Sequence, residues 1–337
     1  MARAKPTATA SIRLSAFAAR AVVTAFLVWQ GIPAFPAWSE QASDSAAGRF
    51  RFAAFGDMPY DLPEDYARLE NLIEAVNAAK PAFTIHVGDF KTGSAPCGDK
   101  VYSKMRGYLD SFAGPLILTP GDNDWADCDR WRAGSYDPNE RLSQLRRVFY
   151  PEAHSMGAAA ISLTRQADVS DYADMVENAI WQHENVLFAT VHMVGHDNNR
   201  GDDEEEFEAR NAANLAWIGR AFTRAAEEDL AGVVLAFHAD VFGFFARRDS
   251  FAEALSAIAA AASRLGKPVL LIHGDGHRYI VDQPLAENAY SGPRVANVTR
   301  IEVFGSSDMH AVEIAVNPDN PALFEIAPLI VEKNISD

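Results

Sequence analysis

LILTPGDNDW, residues 116–125, decides how this chain is read. LILT is a short apolar run of the kind that fills a buried strand. The chain then turns at Pro120–Gly121 and sets Asp122, Asn123 and Asp124 in a row. A core strand that ends in oxygen donors marks a sheet with chemistry on its rim, because ligands of open α/β sheets gather at the C-terminal strand ends. Three other stretches have the same form: RFAAFGD (51–57), FTIHVGD (83–89) and VLLIHGD (269–275). Each closes on Gly-Asp, and glycine permits φ > 0 and close backbone approach. Asp57, Asp89, Asp122 and Asp275 are therefore expected at one rim.

Helical patterns separate these strands. PEDYARLENLIEAVNAAK places Leu69, Leu72, Ile73 and Val76 on one face. DKVYSKMRGYLDSF, PNERLSQLRRVF, EFEARNAANLAWIGRAFTRAAEED and SFAEALSAIAAAASRL read as further helices, and NVLFATVH (185–192) and VVLAFH (233–238) as strands. After His277, YIVDQPL, VTRIEVFG, HAVEIAV and LFEIAPLIV read as strands with no helix between them. Alternating strands and helices followed by strands predict an α/β layered fold whose end is antiparallel. No internal repeat or strong linker interrupts residues 50–332, which read as one domain; 150–182 has no clear periodicity and reads as an insertion or lid. The acidic run 201–210 reads as a solvated helix start rather than a calcium loop.

The chain has 337 residues, 48% apolar, and a formal net charge of −16. No basic patch suited to nucleic acid stands out. A negative protein also repels phosphate at long range, so handling a phosphate ester calls for something local and positive, and a metal ion supplies it. The N-terminus carries Arg3, Lys5, Arg13 and Arg20 ahead of the apolar run AVVTAFLVW, then small residues to Ala37. Residues 1–37 read as a cleaved export signal and 38–49 as a loose lead-in, which predicts a periplasmic or secreted protein with no membrane span after signal removal. The two cysteines, Cys97 and Cys128, are expected to pair outside the cytoplasm; the alternative is two free thiols.

Four carboxylates crowded at one rim repel one another, and some stay protonated unless a cation intervenes. Histidines fall nearby. His238 closes VVLAFH, and His273 and His277 flank Asp275 at two residues' distance, a spacing that shares one face in an extended chain. Carboxylate plus imidazole suits a divalent transition metal. His86, mid-strand, reads as structural.

The ordered set of strand-Gly-Asp, strand-Gly-Asp, strand-Gly-Asp-Asn-Asp, strand-His and HGDGH (273–277) resembles the calcineurin-like metallophosphoesterases, the superfamily that includes purple acid phosphatases, over roughly residues 50–282. That resemblance implies a four-layer α-β-β-α sandwich and a two-metal site that activates water to hydrolyse a small-molecule phosphate mono- or diester. It further implies that Asp57 and His277 bind a first metal, Asp89 bridges, and Asp122 and His238 bind a second, with Asp275 in the slot of a family histidine. His192 rivals His238 as a ligand.

Departures from the family pattern shape the rest. Met58-Pro59 stands where the family's first motif has a ligating histidine, and Tyr60 is the nearby substitute. Asn123 stands at the family's catalytic histidine; it cannot act as an acid but can hydrogen-bond a phosphate oxygen. His192 and His196 are the candidates for proton donor. Carboxylates at 122 and 275, where the family has Asn and His, make the site harder, favouring Mn, Fe, Mg or Ca over Zn. The alternatives to a phosphoesterase are a non-catalytic metal- or phosphate-binding relative and a metal-dependent hydrolase of another ester.

Overall fold

A computed structural model describes residues 48–335 of the chain. The expected export signal and all but the last two residues of the lead-in lie outside the described residues. In chain order the elements are β1 (Phe50–Phe55), α1 (Asp65–Ala79), β2 (Thr84–His86), α2 (Asp99–Asp110), β3 (Leu116–Leu118), α3 (Pro138–Phe149), β4 (Thr164–Arg165), the single turn α4 (Gln166–Val169), β5 (Ala179–His183), β6 (Val186–Thr190), the single turn α5 (Gly195–Asn198), α6 (Glu204–Glu227), β7 (Gly232–Ala236), α7 (Arg248–Leu265), β8 (Val269–His273), β9 (Ile280–Asp282), β10 (Ala286–Asn288), β11 (Ser291–Arg294), β12 (Val298–Glu302), β13 (Ala311–Val316) and β14 (Phe324–Leu329).

Two sheets form. One is ordered β14-β13-β1-β2-β3 and the other β4-β5-β6-β7-β8-β12-β9. Both faces of the central strands are buried, and the period-2 alternation sorts their side chains. Phe52 and Ala54 of β1, Ile85 of β2, Val234 and Ala236 of β7, and Leu270 and Ile272 of β8 share one core, between the sheets. The intervening Ala53 and Phe55 pack with α1, α2 and α3, while Val233, Leu235, Val269 and Leu271 pack with α6 and α7. The layers therefore run helix, sheet, sheet, helix: the α-β-β-α sandwich. Leu69, Leu72, Ile73 and Val76 are all buried on α1, as their spacing requires.

The end of the chain departs from a simple antiparallel run. β12 joins the second sheet parallel to β8, with β9 antiparallel at the edge. β13 and β14 return to the first sheet, antiparallel beside β1. Apolar pattern alone does not tell which edge a strand will extend. Residues 150–182 supply the edge strand β4 and most of its neighbour β5, so this stretch extends the second sheet. Among the described residues no helix is long and apolar enough to cross a membrane.

Register brings the turns together. Phe55 pairs with His86 and His86 with Leu118; Thr190 pairs with Ala236 and Ala236 with Ile272. The turns carrying Asp57, Asp89 and Asp122 thus leave one sheet at a single end, and those carrying His238 and Asp275 leave the other.

Candidate metal centre

The turns hydrogen-bond one another. Asp57 N–H donates to Gly88 O (2.9 Å), and Gly274 N–H to His238 O (2.9 Å). Asp275 N–H bridges both carboxylate oxygens of Asp57 (3.0 and 3.1 Å). Asp124 accepts from the N–H groups of Asp89 (2.9 Å), Phe90 (2.9 Å) and Gly121 (2.8 Å), so it clamps two turns together from beneath.

The glycines act differently from expectation. Of the four Gly-Asp turns only Gly88 has φ > 0; instead Asp57, Asp89, Asp275 and His277 are themselves left-handed, with φ of 56°, 58°, 70° and 59°. Such residues carry local strain that the surrounding contacts hold in place. What the glycines provide is room. A Cβ on Gly121 would strike the Asp89 carboxylate, and one on Gly274 the Asp57 carboxylate.

The side chains converge as two overlapping groups. Ligand atoms of Asp57, Asp89 and His238 lie within 4.8 Å of one another, as do those of Asp122, His238 and Asp275. His277 stands at the edge, its Nε2 3.6 Å from Asp57 Oδ1. Six of the expected residues are thereby brought to one place. Tyr60 joins them: its hydroxyl donates to Asp89 Oδ2 (2.6 Å), and its ring meets His277 edge-on at 5.1 Å. Gly195 N–H donates to Asp122 Oδ1 (3.1 Å), a contact with no local sequence signal because 73 residues separate the partners.

The electrostatics ask for positive charge at the centre. Burial pushes Asp57 and Asp89 well above the usual carboxylate range, against the pull of His238. Burial and then the Asp122 charge raise Asp275 to about 6. Burial acts the same way on Asp122, but the contacts with His238 and Gly195 outweigh it and leave Asp122 below its ordinary value. Burial opposes a charge on His238, yet Asp89, Asp122 and Asp57 together hold its pKa well above the ordinary one.

The donor set fits a divalent cation. His238 is fully buried and its Nδ1–H donates to Val87 O (2.8 Å), which fixes the ring's orientation and aims Nε2 at the carboxylates. That Nε2 lies 2.9 Å from Asp122 Oδ1 and 3.5 Å from Asp89 Oδ1, so a proton on it pairs the ring with the carboxylates, and a cation can take that proton's place. A buried imidazole nitrogen aimed at convergent carboxylates is a ligand arrangement, and oxygen-rich donors of this kind suit a hard ion. A second cluster, Asp240, His273 and Glu302, is equally tight. There the Arg300 guanidinium already sits 3.2 Å from His273 Nε2, 3.5 Å from Glu302 Oε2 and 3.9 Å from Asp240 Oδ1, so the countercharge is built in.

Two expectations are corrected. His192 is not at the rim. It is fully buried; its Nε2 accepts from Trp125 Nε1–H (3.1 Å) and its Nδ1 meets Glu177 Oε1 (2.7 Å), itself paired with Arg146. Both ring nitrogens are engaged and burial lowers its pKa, so it neither ligates nor donates a proton to substrate. Asn123 does line the cavity, but its amide donates to Asp89 Oδ2 and to Tyr60 Oη (2.8 Å). It positions Asp89 rather than offering its amide to a phosphate. Cys97 and Cys128 form the expected disulfide, Cα–Cα 5.7 Å, beside the cavity wall.

Above the rim a cavity of about 420 Å³ is lined by Tyr60, Asp89, Asp122, Asn123, Asp275 and His277, with Arg130 also on its wall. Arg130 pairs with Asp127 at 2.5 Å.

No protein-family model matches the chain, and no curated protein matches it. Solved structures with a related fold include GAP50, the anchor in the inner membrane complex of Plasmodium, at 9% identity, covering 84% of this chain and 89% of that one with a TM-score of 0.45. The purple acid phosphatase PPD1 from yellow lupin (Lupinus luteus) seeds aligns at 11% identity over 80% of this chain and 49% of its own, TM-score 0.49. The NAD nucleotidase of Haemophilus influenzae aligns at 12% identity over 83% and 55%, TM-score 0.41. The chain thus spans about half the length of the phosphatase and of the nucleotidase.

Proposed function

We propose that this protein is a metal-dependent phosphoesterase that hydrolyses a small-molecule phosphate mono- or diester. The observation that carries the reading is the buried Nε2 of His238 converging with the carboxylates of Asp57, Asp89, Asp122 and Asp275. Those residues with His277 would hold one or two divalent ions, Mn, Fe or Mg before Zn, and the ions would supply the activation of water and the charge that an anionic substrate needs. Tyr60 and Asn123 hold the Asp89 carboxylate in place from the open side. Arg130, across the cavity, would meet the phosphate. Export to the periplasm or beyond is part of the same proposal and is supported by the Cys97–Cys128 disulfide.

A test uses purified protein with added Mn and nitrophenyl phosphate mono- and diesters. Metal-dependent turnover is expected, with a loss of at least about a hundredfold in Asp89→Ala, the scale of removing an electrostatic element of a site. Undiminished turnover in that variant sinks the proposal.

One observation favours a second reading, a non-catalytic metal- or phosphate-binding relative. Among the described residues the only imidazole lining the cavity is His277, which is itself a proposed ligand. Tight metal binding by calorimetry with no hydrolysis of any ester would decide for that reading.

A further inference from the structure

Beside the rim cavity lies a second one of about 420 Å³, and Asp275 is a wall of both. Phe244 and Phe245, in the segment between β7 and α7, form its outer wall. They are 93% and 79% exposed, and their rings meet edge to face at 5.2 Å and 86°. His196, Asp240, Asp275 and Arg278 supply its polar lining.

This wall is tied to the candidate site. His196 holds a strained backbone, φ 56° and ψ −84°. The preceding Gly195 N–H is anchored on Asp122, and His196 O accepts from Arg247 N–H (3.0 Å), three residues beyond the first of the two rings. The backbone just beyond the phenyl pair is thereby tied to the turn that holds Asp122. Scattered exposed apolar residues need no explanation, but two adjoining exposed rings that face a cavity do. A planar ring completes such an arrangement, because an edge-to-face pair presents one face and one edge to a third aromatic. A guanidinium such as that of Arg278 stacks on the same kind of ligand. The volume lies in the range of small-molecule sites.

We infer that this second cavity receives the leaving group of the ester and that the group is aromatic. The inference rests on the phosphoesterase reading of the neighbouring rim. In the reaction, water adds its oxygen to phosphorus as the bond from phosphorus to the aryl oxygen breaks. One proton of that water ends on the departing oxygen, so the products are a phosphate and a phenol-type alcohol.

The test compares wild type with the Phe244→Ala/Phe245→Ala double variant. Both rings are exposed, so their removal leaves the core intact. With Mn-loaded protein, kcat/KM is measured for phenyl phosphate and ethyl phosphate; intrinsic reactivity cancels when the aryl-to-alkyl ratio is compared between the proteins. The ratio is expected to fall about tenfold (~1.4 kcal/mol) in the variant. A ratio unchanged within about twofold overturns the inference. A second measurement needs no turnover: calorimetry with benzylphosphonate and methylphosphonate. Wild type is expected to prefer the benzyl compound by about tenfold, and the variant to lose that preference. A persistent benzyl preference without hydrolysis of any ester keeps the aryl cavity and sinks the hydrolytic reading. Hydrolysis without an aryl preference does the reverse. Binding to phosphatidylcholine vesicles that the variant loses, with no aryl preference in wild type, assigns the rings to a lipid surface and overturns the inference.

Discussion

Asp124 lies next to a candidate ligand in sequence but has a different task. Its two oxygens accept three buried backbone N–H groups from the turns that carry Asp89 and Asp122. Asp124→Ala leaves those donors unpaired, and each buried unsatisfied group costs about 1–3 kcal/mol. The expected loss exceeds roughly 3 kcal/mol, read from the shift of the urea midpoint at constant slope. A loss below about 1 kcal/mol would show that the turns hold without the clamp. His86 gives a pH signature. Burial, helped by the charge on His238, lowers its pKa to about 3, and its Nδ1 accepts from Gly88 N–H. An unfolded histidine titrates near ~6.5. Above that pH neither state binds the proton and the contribution is fully present. As pH falls from ~6.5 towards 3, the unfolded chain takes up a proton that the folded one refuses, so stability is lost. Wild type is therefore expected to lose up to ~1.4 kcal/mol per pH unit more than His86→Asn over this window. Parallel pH profiles of the two proteins would contradict it.

At the scale of elements, two loops make one wall of the rim cavity, and the disulfide joins them. Cys97 follows the β2 turn and Cys128 lies in the 3-10 turn Ala126–Asp129 after β3, with a sequence separation of 31. Closing a loop of that length stabilises by roughly 3–4 kcal/mol in the chain-entropy description. The Cys97→Ser/Cys128→Ser variant is expected to lose about that much and to melt several degrees lower; equal melting temperatures for the two proteins would show that packing alone fixes the wall. The strand-and-helix alternation of the core elements was legible because hydrophobic period is a local property. β4 and β5 were not legible, since they are short strands at the edge end of the second sheet in a stretch without clear periodicity. Glu177, which precedes β5, orients His192 and pairs with Arg146. Nothing around residue 177 in the sequence announces those partners.

For the whole molecule, a cation shared between two sheets is expected to stabilise the fold as well as to serve chemistry. The candidate ligands Asp57, Asp89 and Asp122 come from one sheet, and His238, Asp275 and His277 follow strands of the other. At a metal concentration about a hundredfold above Kd, binding to the folded state alone adds about 2.7 kcal/mol. Treatment with a chelator is thus expected to lower the melting temperature and stop turnover, and Mn is expected to restore both. Asp89→Ala should be nearly blind to chelator in the same melting experiment. An equal chelator response in the variant would place the cation elsewhere.

The Gly-Asp turns, their order along the chain and the strands feeding them were fixed by local pattern: apolar runs make core strands, and Gly-Asp ends them. Which histidine joins the cluster was not. His192 and His238 both close apolar strands, and only packing separates them: Trp125 and Glu177 occupy both nitrogens of the first, while Val87 O takes Nδ1 of the second and leaves Nε2 facing the carboxylates. The same holds for Asn123, whose amide is turned towards Asp89 by a neighbour 34 residues away. Sequence determines which donors a strand end carries; the direction in which a buried donor points is decided by partners that only the folded chain brings within reach, because an unpaired polar group in the interior is too costly to leave to chance.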